Sequence, residues 1–399
     1  MKPRVAIRGL VAALLACVGI GAGAEAGAAP RLPTSGAEVL EELPWRADPQ
    51  QRELRALRAR LQEAPRDLPR AVEVARRYIE AGRRESDPRY YGYAQAALGP
   101  WWNLAAPPPQ VRLLRATLLQ SEHRFPEALS DLAALTAQQP DNAQAWLTRA
   151  TVETVRADYT AATQSCARLS SLADELVTTA CIANVGAMNG RLAASERLLA
   201  AVRTRAGGAG RADNAAVDAW VLTMLAEMAQ RRGAAAVAEA RFRDALRLAP
   251  RDTYLLGAYA DFLLDAGRRG EAAALLAPHA RVDGLLLRHA LASRQGSELA
   301  ELAARFDAGE RRGDGVHLRE QARFELALRG NARRALTIAR RNWEVQKETA
   351  DARILLEAAL AAHDAAAARP VLDWMRGAGV EDVQLARLAA QFNFNGDKG

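Results

Sequence analysis

Aromatic residues make up 5% of this 399-residue chain, lysine occurs only at Lys2, Lys347 and Lys398, and cysteine only at Cys17, Cys166 and Cys181. A nucleic-acid binder concentrates its positive charge and interleaves aromatics on which bases stack. Here the charge is nearly all arginine, spread among Glu and Asp, and nets to +7. Beyond the first residues no apolar run approaches the roughly 20 residues of a membrane-spanning helix. The five histidines, at 123, 279, 289, 317 and 363, form no i, i+4 pair and no HExxH, which argues against a metal site. There is no Walker loop, no G-x-S-x-G elbow and no glycine fingerprint after a strand. No catalytic, cofactor-binding or metal-ligating residue is assigned, and the chain does not read as an enzyme.

Alanine fills much of the space the aromatics leave, in stretches such as Ala272–Ala274 and Ala365–Ala368. It loses no side-chain entropy in a helix and lets helices approach closely. Period-two runs of β-branched residues are few. The fold class is all-α.

The first 28 residues have the layout of a secretory signal peptide. Lys2, Arg4 and Arg8 precede an apolar stretch from Gly9 to Ile20, followed by two A-x-A sites, Ala22-Gly23-Ala24 and Ala26-Gly27-Ala28. A rival reading takes Leu14-Leu15-Ala16-Cys17 as a lipoprotein box, with Cys17 carrying the anchor. Leu15 fits that box poorly, and the apolar run continues through Val18 and Ile20. The expected location is periplasmic or secreted.

Small residues recur in comparable settings at Ala94, Ala128 and Ala162, 34 apart each time. Ser195, Ala238, Ala272, Ala335 and Ala368 continue the series, with a longer step before Ala238. Around them, His123-Arg124-Phe125-Pro126-Glu127-Ala128 matches Ala157-Asp158-Tyr159-Thr160-Ala161-Ala162. The clearest unit runs Gly233, Ala238, Phe242, Ala245, Pro250; Trp146 and Ala150, then Tyr259, Ala260 and Gly267, hold corresponding places in others. These positions and the 34-residue period resemble the tetratricopeptide repeat family, in its exported bacterial form. The resemblance implies a right-handed superhelical solenoid of tandem helix–turn–helix units, about nine pairs between Leu68 and Arg376, degenerate from about Gly284 to Asp314. One pair cannot bury its apolar face alone, so each stacks on the next.

Composition divides the chain further. Residues 29–49 are proline-rich and expected to be flexible, and a first helix near Gln50 to Glu63 carries Leu54, Leu57 and Leu61 on one stripe. Pro107-Pro108-Pro109 stiffens a junction between units. The stretch 206–214, AGGAGRADN, reads as a loop between two arrays, 50–205 and 215–392, with 393–399 as a tail. In that tail Phe392-Asn393-Phe394-Asn395 reads either as a docking strand or as a frayed end.

In the tetratricopeptide family the first helices line a groove for a peptide. By that resemblance the groove presents Gln144, Thr151 and Thr154, then Trp220, Glu227 and Arg231, then Tyr254 and Asp261. Cys166 and Cys181 flank a turn near Ser170–Glu175 about equally, so antiparallel helices bring them level. A disulfide and two buried thiols stand as equal readings. Arginine pairs at Arg83-Arg84, Arg231-Arg232, Arg268-Arg269 and Arg333-Arg334 are placed where first helices end. They form either a basic stripe for an acidic partner or lipid headgroups, or ordinary C-terminal helix charges. Tyr90, Tyr91, Tyr93, Trp101 and Trp102 are divided between core and a binding patch. The function expected is a non-enzymatic scaffold or assembly factor of the bacterial cell envelope that binds a protein or peptide. The alternatives are a glycan- or lipid-linked-polymer-binding subunit of an export complex, and an outer-membrane-anchored lipoprotein adapter.

Overall fold

A computed structural model describes Ser35 and residues 49–207, 215–279, 281–313 and 315–392. The leader with Cys17, most of 29–49, residues 208–214 of the glycine-rich stretch and the tail 393–399 lie outside the described residues. The chain divides into two units, residues 1–51 and 52–399. Only Ser35 and residues 49–51 of the first are described; the account below concerns the second.

Among the described residues there are helices and turns and no strand. In chain order the α-helices are α1 (Pro49–Glu63), α2 (Leu68–Glu85), α3 (Arg89–Ala97), α4 (Gly99–Trp102), α5 (Pro109–Ser121), α6 (Phe125–Gln138) and α7 (Ala143–Val155). There follow α8 (Tyr159–Arg168), α9 (Glu175–Met188), α10 (Leu192–Arg205), α11 (Ala215–Arg231), α12 (Ala235–Leu248), α13 (Thr253–Asp265) and α14 (Arg269–Leu276). The last are α15 (Asp283–Ser293), α16 (Gly296–Arg312), α17 (Leu318–Ala327), α18 (Ala332–Val345), α19 (Thr349–Ala361), α20 (Arg369–Gly377) and α21 (Val383–Ala389). From α2/α3, then from α5/α6 to α19/α20, they form nine antiparallel pairs, an all-α helical solenoid.

Local sequence explains the punctuation. Asp67, Asn142, Asp158, Asp174, Asp252, Asn331 and Asp382 precede helices, and each accepts a backbone N–H from the first turn. This satisfies one of the donors a helix start leaves open. Proline opens α1 at Pro49, one residue into the stretch expected to be flexible, because a first-turn proline gives up no hydrogen bond there. Pro109 likewise opens α5. The turn inside each pair needs a left-handed residue: Gly233 (φ +80°) supplies it between α11 and α12. His123 (φ 58°), Ala157 (φ 62°) and His363 (φ 55°) hold the same conformation with a side chain attached.

The periodic small residues are the crossing points. Ala128, Ala162, Ser195, Ala238, Ala272 and Ala335 each stand fourth in the second helix of their pair. They and Ala94 and Ala368 are all buried, the alanines completely. Behind Ala238, Phe242 and Ala245 are fully buried with it. In the degenerate pair the pattern changes, and α16 buries only Leu302. The core does not stop at 206–214: Leu199 and Val202 of α10 pack with Val221, Met224 and Leu225 of α11 in one cluster. Arg203 and Asp218 form a two-pronged ion pair across the same junction.

Candidate binding chamber

A solenoid of this kind leaves its first helices facing one side, and here the C-terminal pairs return against the middle of the chain. The Lys347 amide donates to the Val155 carbonyl at 2.8 Å, and the Leu192 amide to Glu381 Oε1 at 2.8 Å. Arg231 donates to the carbonyls of Ala187 and Glu381 and lies 3.8 Å from the Asp382 carboxylate. The backbones of Gly190 and Gly379 approach closely, so that a methyl group at 190 would meet the Gly379 carbonyl oxygen at 3.3 Å. The Ser86 hydroxyl meets that of Thr253 at 2.7 Å, tying the end of α2 to the start of α13.

These contacts border a half-open cavity of ≈770 Å³, with a smaller one of ≈170 Å³ beside it. Its walls differ. The C-terminal halves of α5, α7, α9 and α11 form one, and the N-terminal halves of α13, α15 and α19, with the start of α17, form the other. Six residues expected in the groove line it: Thr151, Thr154, Glu227, Arg231, Tyr254 and Asp261. Gln144 and Trp220 do not. Each is seven residues before a lining residue, Thr151 or Glu227, so it shares that stripe but sits two turns away, past the rim. The Gln144 side chain instead donates to the Thr148 hydroxyl, and Trp220 is exposed.

Charges in the chamber are mostly paired. Asp261 takes Arg288 at 2.7 Å and Arg323 at 2.6 Å; those two cations outweigh burial and hold its carboxyl well below the usual range. Arg319 serves three carboxylates, Glu320, Glu348 and Asp351, at 3.4, 3.2 and 3.5 Å. Burial works against the Glu320 carboxylate, but Arg319 and Arg288 bring it down to about 2. Burial, then the charge of Asp351, raises Glu348. Burial also pushes His123 down to about 4, helped by the charge of Arg319.

Glu227 differs from these. Burial pushes its carboxyl up to about 7, although the Tyr254 hydroxyl donates to it at 2.7 Å. Its charge above all holds the Tyr254 phenol, whose ring stays largely exposed to the chamber, well above the ordinary tyrosine value. Arg288, Arg319, Glu320, Glu348, His123 and His317 line the chamber without having been expected there. Apart from Arg288 in the middle of α15, their only sequence signal was position near the start of a helix or at a turn.

Cys166 and Cys181 form a disulfide with Cα atoms 5.6 Å apart. The arginine pairs need correction. Gly267 and Gly330, both at positive φ, end their first helices early. Arg268-Arg269 and Arg333-Arg334 therefore belong to the starts of α14 and α18, not to first-helix ends. Many of these charges are also spent internally: Arg232 on Glu196, Arg268 on Glu239 and Glu271, Arg334 on Glu310 and Glu325. Of the aromatic group, Tyr90 is buried, while Tyr91, Trp101 and Trp102 pack on the same core. Tyr93 packs at a tilt against Tyr78, with ring centroids 5.4 Å apart, and is partly exposed. No helix among the described residues is long and apolar enough to cross a membrane.

Residues 185–301 match the family model described as tetratricopeptide repeat. No curated protein matches the chain. Similar solved structures include a tetratricopeptide repeat protein from Parabacteroides merdae, 13% identical, with 72% of this chain and 97% of that one covered and a TM-score of 0.37. Another is the human IFIT1 dimer with PPP-AAAA, 12% identical, covering 86% of this chain and 87% of that one, TM-score 0.41.

Proposed function

We propose that this chain, a tetratricopeptide-repeat solenoid, is a non-enzymatic scaffold of the bacterial envelope that takes an extended segment of a partner protein into the chamber. The observation that carries the reading is the lining. A cavity of ≈770 Å³ is too small for a folded partner but falls in the range of ligand-binding clefts. Its walls present hydroxyls, carboxylates and guanidinium groups on rigid helices, the groups that recognise peptide backbone and polar side chains. On the outer turns Arg232, Arg268 and Arg334 are already paired with carboxylates of the chain itself.

Export is part of the same proposal. The n-region, apolar stretch and A-x-A sites favour it, and a Cys166–Cys181 disulfide persists in an oxidising compartment. The intact mass of the mature protein tests this. A mass starting near residues 25–29 with one disulfide supports a soluble exported chain. A lipidated chain starting at Cys17 replaces it with the anchored adapter.

Binding is tested by placing a photo-crosslinking amino acid at Thr151, which is exposed to the chamber, in the full chain in its native cells. Leu198, 47% exposed on α10, serves as the outer control. Crosslinks to one or two envelope proteins from 151 and not from 198 are expected. Polysaccharide recovered in place of protein would transfer the chamber to the glycan-binding reading.

A further inference from the structure

Resting on the reading of the chamber as the binding site, we infer that the Glu227–Tyr254 corner is a receptor for a cationic side chain, a guanidinium or ammonium group of the bound peptide segment.

The argument begins with charge. Most carboxylates of the chamber have a structural employment. Asp261 is held by two arginines. Glu348 caps α19 in a reciprocal box with Asp351. Glu320 and Asp283 stand in the first turns of α17 and α15, where the helix dipole favours a negative charge. Glu227 has none of these. It lies in the second half of α11, toward the end that disfavours an anion, and forms no ion pair among the described residues. Arg231, one turn on, is directed to the carbonyls of Ala187 and Glu381 instead. The nearby Arg319 is shared among three other carboxylates. Among the described residues, then, the Glu227 carboxylate has a hydroxyl partner but no cation paired with it.

The second observation concerns Tyr254. It lines the cavity, yet exposes 66% of its surface, the most of any large hydrophobic side chain among the described residues. An aromatic ring left bare inside a cavity, with its hydroxyl fixed on a carboxylate, offers a face to a cation beside a counter-charge. No three His, Cys, Asp or Glu among the described residues are placed to hold a metal ion, which favours an organic cation.

Calorimetry on the full chain at pH 8.5, above the value of about 7 to which burial raises the Glu227 carboxyl, tests this with four probes: acetylated, amidated tripeptides of arginine, lysine, alanine and glutamate. Saturable binding of the arginine or lysine peptide is expected, with alanine and glutamate at least about tenfold weaker. Glu227→Gln keeps the hydrogen bond to Tyr254 but removes the charge, and should weaken cationic binding by about tenfold. Tyr254→Ala should weaken it independently, and keeps the question open to test if the first variant folds poorly; circular dichroism checks both. Equal binding of the glutamate peptide, or cationic binding unchanged in both variants, overturns the cation receptor while leaving the chamber a peptide site. Absence of binding by every peptide, together with no protein crosslinked from position 151, removes the peptide reading itself. Absence of binding with protein crosslinks from 151 overturns the cation receptor alone.

Discussion

Trp374 donates its indole N–H to the phenol oxygen of Tyr159 at 3.0 Å, joining residues 215 positions apart. Its ring also sits edge-on against Trp343, with centroids 5.2 Å apart. Neighbour-only stacking, the rule for simple repeat arrays, does not produce such a contact. Trp374→Phe keeps most of the packing and removes the donor, so a partly buried phenol loses its partner. The expected cost is about 1 kcal/mol. Hydrogen exchange should quicken at Leu192 and Lys347, whose amides belong to the same closure, and not at α2. Quickening confined to α20 would show that the return contacts are not cooperative.

Ala238 is fully buried at the crossing of α12, with Phe242 and Ala245 behind it. A tryptophan there has no space to enter without moving a helix, and overpacking of this kind costs about 1–3 kcal/mol or more. Ala238→Trp should lower the melting temperature by several degrees and Leu198→Trp, on an exposed position, should not. An unchanged melting temperature for Ala238→Trp would contradict the helix register.

That register was legible because it is local. Each small residue, from Ala128 to Ala335, is set by its own turn and its own pair, and a 34-residue spacing records it directly. The stripe through Thr151, Thr154 and Glu227 was legible for the same reason. What periodicity could not record is where the stripe ends. Gln144 and Trp220 lie on it but outside the chamber, whose extent is fixed by returning contacts such as Lys347 with Val155. Arg319 and Glu348 were missed on the same account: they face Tyr254 only because distant pairs meet. The arginine pairs show the limit at single-residue scale, since one glycine at positive φ decides which helix owns Arg268.

Ala157 occupies the left-handed region (φ 62°) in the turn where other pairs use glycine. Its Cβ costs roughly 1–2 kcal/mol in that conformation, part of which is offset by the greater freedom of glycine in the unfolded chain. The turn's hydrogen bonds, Ala157 N to Thr154 O at 2.9 Å and Asp158 N to Glu153 O at 2.8 Å, need no side chain at 157. Ala157→Gly is therefore expected to stabilise the protein by about 0.5–1 kcal/mol, read as a higher urea midpoint. A lower midpoint would mean that the methyl group makes a packing contribution larger than the strain.

Glu227 gives the protein a stability that falls as pH rises from about 4.5 to about 7. Its carboxyl is raised to about 7 by burial, with the charge of Glu348 adding to it and the Tyr254 hydroxyl and Arg231 opposing. In the unfolded chain it titrates near 4.5, so between that value and about 7 the unfolded state ionises while the folded state keeps its proton. The unfolded state then binds fewer protons, and stability declines through this window. Glu320, lowered to about 2, acts oppositely: its contribution is present above 4.5 and is lost as pH falls toward 2. The two windows separate cleanly. Between pH 5 and pH 8 the wild type should lose about 1–2 kcal/mol relative to Glu227→Gln, allowing for water in the chamber. Below pH 4 the two should weaken together, since both retain Glu320 and Asp261. Urea midpoints across that range decide it. Parallel curves from pH 5 to pH 8 would mean that Glu227 is ionised and well solvated throughout, and that the chamber is more open than its return contacts imply.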